Sequence, residues 1–126
     1  MGWPFARTAL VGVLSLAGAS FAMAEGAEEF QRHCALCHGL DGTGHGPLAE
    51  AMKAVPTDLT LLTARNKGEF PSTRVADVIR NGGGVLGHGS SAMLAWGSYF
   101  GEKGNPKVGK ERIAELVGYI KSLQQK

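Results

Sequence analysis

Cys34-Ala-Leu-Cys37-His38-Gly39-Leu-Asp41-Gly42-Thr-Gly44-His-Gly46-Pro47-Leu48-Ala49 decides how this chain is read. Two thiols stand three positions apart, and an imidazole follows the second directly. On a helical turn, positions three apart are neighbours, so both thiols can meet one bound group. The glycines and the proline that follow read as a loop over Gly39–Gly46. Upstream, Glu25 to Leu36 predicts a helix with Phe30 and Cys34 on one face. Downstream, Ser72 predicts the cap of a helix running to Arg80, with Val75, Val78 and Ile79 as its apolar stripe and Gly82 beyond its end. Gly82–Gly89 reads as a second loop. The clearest helix is Lys110–Gln124. Its Ile113, Leu116, Val117 and Ile120 fall at i, i+3, i+4 and i+7, flanked by Tyr119 and Leu123. No strand-like alternation interrupts the pattern, so the expected fold class is all-α.

Three chemistries use a C-x-x-C pair. A redox disulfide needs a βαβ context, which is missing here. A zinc site needs further ligands, and there is no second cysteine pair; His33, His38, His45 and His88 complete one only on paper. The third is C-x-x-C-H, the attachment pattern for haem c. Each thiol bonds one vinyl group of the same porphyrin, and the imidazole that follows is carried to the iron. This third reading places one covalent haem on Cys34 and Cys37, with His38 as an iron ligand.

Composition agrees with a small domain built around a prosthetic group. The chain has 126 residues, 44% hydrophobic and 19% charged, which is room for one domain. A net charge of +2 excludes a general nucleic-acid binder. Two cysteines are too few for a disulfide scaffold. With 19 glycines, much of the chain must be loop. Residues 1–24 read as a secretory signal peptide. Arg7 gives a positive start, Thr8 to Ala19 is uncharged and apolar, and Ala22-Met-Ala24 fits a small-x-small cleavage site before Glu25. The apolar run is shorter than the ~20 residues of a membrane span, so cleavage is expected, with no stable membrane insertion. That leaves residues 25–126 as a single domain outside the cytoplasm, in the periplasm. Free cysteines there would pair unless otherwise used.

On these residues, the chain resembles the class I c-type cytochromes over nearly all of residues 25–126. The resemblance rests on Cys34–His38 and on the glycine-rich run ending at Gly46-Pro47. It implies a small, loop-rich helical fold wrapped around one haem. It also implies a methionine opposite the histidine. Met93, in His88-Gly-Ser-Ser-Ala-Met93-Leu-Ala-Trp96-Gly97, resembles the family's methionine segment, with Leu94 where the family often has proline. The same resemblance assigns the Pro47 carbonyl to orient the His38 ring. It also matches Gly26 and Phe30 to a close crossing with Leu116 and Tyr119. Met52 reads as core filler. His45 and His88 are weaker candidates for the sixth ligand, and His33 is expected to face solvent. Beyond the resemblance, Trp96 has an indole N–H that a haem propionate could accept, and Arg80 could pair with a propionate.

Iron held by His38 and Met93 leaves no position for substrate. The expected function is therefore one-electron transfer, not catalysis. The partners would be other redox proteins: a dehydrogenase, an oxidase or another cytochrome. Two alternatives differ in kind. One is an open-site haem protein that binds a small gas or peroxide. The other is a cytochrome subunit of a specific dehydrogenase or oxidase complex. The basic end (Lys103, Lys107, Lys110, Arg112, Lys121, Lys126) and the acidic start (Glu25, Glu28, Glu29) read as solvated helix faces.

Overall fold

A computed structural model describes Met1 and residues 17–83, 93–101 and 105–125. Its described elements are α1 (Ala17–His33), α2 (Ala35–His38), α3 (Leu62–Arg65), α4 (Ser72–Asn81), α5 (Gly97–Phe100) and α6 (Pro106–Ser122), with 3₁₀ turns at Ala49–Ala51 and Leu59–Leu61. No strand occurs among the described residues, so the chain has the all-α fold.

The core forms where α1 crosses α6, the most extensive contact between helices. Gly26 makes the crossing close: a Cβ there would run into the Glu115 carbonyl oxygen and lie 3.1 Å from the Tyr119 Cβ. One turn on, the Phe30 and Tyr119 rings pack at 5.3 Å and 54°. Phe30, Phe100 and Leu116 are fully buried, and Ile113 and Ile120 extend the same layer. The crossing expected from Gly26, Phe30, Leu116 and Tyr119 is present. Val75 and Ile79 of α4 close the core from the side.

Element boundaries move from those expected. Helix α6 starts four residues before Lys110. There, the Asn105 side chain accepts the Lys107 N–H at 3.1 Å, and Pro106 takes the first helical position, where its missing N–H costs nothing. Ser72 does not cap α4. Its own N–H donates to the Phe70 carbonyl at 2.9 Å, Pro71 stands in the cap position, and the first turn has no side-chain cap. The first helix ends at His33, and a turn at Cys34 separates it from α2.

Two charges read as solvated are not. Arg112 of α6 donates from Nε and from its terminal nitrogen to the two carboxylate oxygens of Glu29 on α1, at 2.9 and 3.0 Å. Their side chains are only 21% and 15% exposed. The guanidinium also lies 4.5 Å above the Phe100 ring. Such a bidentate pair fixes the rotation of one helix against the other. On α1, Gly18 and residues 20–25 are exposed, and Gly26 is buried. Among the described residues, no helix is long and apolar enough to cross a membrane.

Candidate haem site

The site begins with α2 and the loop that closes its end. The last carbonyls of a helix need partners from outside it. Here the loop supplies them: Leu48 N–H donates to the Leu36 carbonyl at 2.9 Å, Gly46 to Cys37 at 3.1 Å, and Gly44 to His38 at 2.7 Å. Gly46 is required by space. A Cβ there would stand 2.5 Å from the Leu36 oxygen and 2.6 Å from the Ala35 oxygen. The glycine-rich run therefore holds α2, and with it both thiols and His38, against one rigid loop.

The His38 ring is fixed from a distant segment. Its Nδ1 donates to the Thr57 carbonyl at 2.9 Å, which leaves Nε2 as the ligating nitrogen. Burial lowers the pKa of His38, against a smaller opposing effect of the Thr57 bond. The imidazole is thus kept in the neutral form that binds metal. The expected partner, Pro47, does not take this role. Pro47 is exposed and lines a shallow outer depression of about 680 Å³ with Leu36, Leu40 and His45. Gly44 explains the exchange. At φ +91 it has no Cβ to collide with the Pro56 carbonyl, so residues 56–58 lie against the loop and bring the Thr57 oxygen to the ring.

Met93 stands on a segment tied to the end of α4. Gly83 N–H donates to the Met93 carbonyl at 3.3 Å, and Trp96 N–H to the Ile79 carbonyl at 2.9 Å. Two adjoining cavities, of about 260 and 370 Å³, lie between this segment and α2. Cys34, His38, Thr57, Val78 and Met93 line both. Their combined space falls within the ~300–1,000 Å³ usual for cofactor pockets. The first cavity is walled by Leu59, Leu62, Val75, Ile79 and Ile120, and the second by Cys37, Leu48, Val55, Leu94 and Trp96.

Both thiols are free, and Cys34 is buried. Burial first, then the charges of Glu29 and Cys37, push the Cys34 thiol up to about 12, so it stays protonated. Two thiols, a neutral imidazole and a thioether around one largely apolar space fit a covalently bound haem.

Other expected residues are placed differently. His45 lines the outer depression and lies 3.2 Å from the Thr43 hydroxyl, so it is not part of either cavity. His88 lies outside the described residues. His33 does not face solvent: its side chain is 15% exposed, and its ring packs 5.1 to 5.5 Å from Trp96, Tyr99 and Phe100. Its Nε2 is 3.3 Å from Glu29, and the ring lines the second cavity. Met52 is not core filler but lines that same cavity. Trp96 lines it too, stacked on Phe100 at 5.7 Å.

Arg80 lines neither cavity. Its guanidinium donates to Asp77, three residues back on α4, at 2.9 Å, and its stem packs where α5 begins, since a Cβ on Gly97 would lie 2.7 Å from its Cγ. The cations that do line the first cavity are Arg65 and Arg74. Arg65 ends a helix of four residues that carries no sequence period. Arg74 had a signal, because it lies four residues before Val78 on the stripe side of α4.

The family model for cytochrome c oxidase, cbb3-type, subunit III matches residues 21–120. No curated protein matches. Among solved structures, a chain of the reducing HAO-like protein complex of Kuenenia stuttgartiensis is similar, with a TM-score of 0.61 and 21% identity. The match covers 94% of this chain and 50% of that one, so the present chain spans about half the length of this relative. At that identity the likeness shows the fold.

Proposed function

The chain belongs to the cbb3-type cytochrome c oxidase subunit III family and is a class I c-type cytochrome, and on that premise we propose that it is an exported one-electron carrier with Cys34 and Cys37 bonded to its haem and His38 and Met93 as the iron ligands. The observation that carries this reading is that Cys34, His38 and Met93 line the same space while His38 Nδ1 is already committed to Thr57.

When bound, the haem supplies a one-electron Fe(III)/Fe(II) couple. The chain does the rest. Thr57 holds the imidazole in one tautomer and one orientation. Met93 presents a sulfur, a ligand that raises the potential relative to a second imidazole. Val75, Val78, Ile79 and Ile120 exclude water from the inner wall. Were His38 and Met93 both to hold the iron, they would leave no open place for substrate, and the bound haem would supply electron transfer without bond chemistry.

Ala22-Met-Ala24 supports removal of residues 1–24 and a periplasmic location. It agrees with the exposure of residues 20–25 just before the buried Gly26. The partners are redox proteins. The family's own description favours a second reading with the same chemistry, a cytochrome subunit held in an oxidase complex.

The test is the absorption spectrum of protein made with a haem-attachment system, with carbon monoxide added after reduction. The carrier reading expects covalent haem, a methionine–iron charge-transfer band when oxidised, and no carbon monoxide adduct. Ready binding of carbon monoxide would overturn it in favour of an open-site haem protein. Co-purification of a stable partner would select the subunit reading.

A further inference from the structure

Five arginines lie in the described residues, and three of them are paired with an acid. Arg32 pairs with Glu28, Arg80 with Asp77, and Arg112 with Glu29. Arg65 and Arg74 pair with no acid among the described residues, and these two line the first cavity. Arg65 is the last residue of α3, and Arg74 lies in the first turn of α4, so two separate helices bring like charges to one space. The rest of that wall is mostly apolar. Its amide, Asn66, already donates to the Glu69 carbonyl at 2.7 Å. Arg74 also adds to the positive end of the α4 dipole, and that turn holds no acidic side chain to offset it. Both residues are exposed at the edge of this apolar cavity, so their guanidiniums are free to take an anion seated there. Their planar forks match carboxylates in particular. Among the described residues, no lysine or arginine lines the second cavity.

We propose that Arg65 and Arg74 bind the two carboxylates of the haem and hold its reduction potential up, so that the carboxylate edge lies at the first cavity and the second cavity receives the apolar edge. This rests on the haem reading of the site. Two cations at the carboxylate edge of the haem would disfavour the oxidised form, which carries one more positive charge. Removing them therefore lowers the potential.

The experiment is a spectroelectrochemical titration of the haem-loaded protein at low ionic strength. The variants are Arg65→Gln, Arg74→Gln, the double Gln variant, the double Lys variant and Arg80→Gln. The midpoint potential is expected to fall in each single variant and furthest in the double Gln variant. The double Lys variant, which keeps the charge, should recover most of the loss, and Arg80→Gln should match the wild type. An unmoved potential in the double Gln variant, with covalent haem and the methionine–iron band intact, would overturn this proposal alone. An equal fall in Arg80→Gln would also overturn it, because the effect would then be general surface charge. A wild-type protein without covalent haem would overturn the site reading, and this proposal with it.

Discussion

The two walls that face each other across the cavity are built in different ways. The backbone of the His38 wall is local, and only the Thr57 carbonyl that orients the ring comes from farther along the chain. Four residues of helix and ten of loop make it, and the loop answers the helix carbonyls one by one from Gly44, Gly46 and Leu48. The Met93 wall is assembled by return of the chain. Gly83 to Met93 and Trp96 to Ile79 tie it to α4, and Leu94, the residue after Met93, is exposed. A wall made of neighbours in sequence forms as one unit. A wall made by return depends on the rest of the fold, and segments held by few buried contacts open at lower free energy. The His38 side should therefore be the permanent anchor and the Met93 side the one that yields first.

The largest expected effect breaks the anchor. Cys37→Ser or His38→Ala should cut the yield of correctly ligated covalent haem by at least ~10–100-fold, the loss that even changes to a ligand's supporting hydrogen bonds can give. A haem stain after denaturing electrophoresis, with the pyridine haemochrome spectrum, measures it. Met93→Ala comes next. Haem stays covalently attached, the reduced protein now binds carbon monoxide, and the potential falls. If Met93→Ala lost covalent haem as completely as His38→Ala, the contrast between the walls would collapse.

Smaller effects sharpen the contrast by asking what supports the anchor. Phe30→Ala empties the crossing of α1 and α6 just before Cys34 and should cost about 3–5 kcal/mol in denaturant unfolding. Glu29→Gln leaves a largely buried Arg112 half-paired and should cost about 1–3 kcal/mol by the same assay. Arg80→Gln removes an exposed pair and should stay within ~0.5 kcal/mol of the wild type.

What was legible in the sequence follows the same division. Cys34, Cys37 and His38 are marked by spacing, and α6 and its crossing with α1 by an apolar stripe meeting a glycine and a phenylalanine. These features depend on neighbours within a few positions. The Thr57 carbonyl was not legible. It lies 19 residues from His38, it belongs to the backbone, and only the missing Cβ of Gly44 brings it into place. Arg80 lies away from the cavities for a related reason. A cation's partner is set by which face of its helix it occupies, and Asp77 had already taken Arg80. The packing of His33 is not legible because Tyr99 and Phe100 lie on a four-residue helix with no period of its own and Trp96 just precedes it. Asn105 shows the reverse: its cap on α6 was in the sequence, but the apolar stripe alone placed the start four residues late.

The most direct test of the central claim is a proton–carbon NMR spectrum of the reduced, diamagnetic protein with ¹³C-methyl methionine. If His38 and Met93 face each other across the haem, one methionine methyl lies over the ring and is shifted far upfield. That signal vanishes in Met93→Ala and persists in Met52→Ala. A spectrum without such a methyl, or one whose shifted methyl is lost in Met52→Ala instead, would contradict the account.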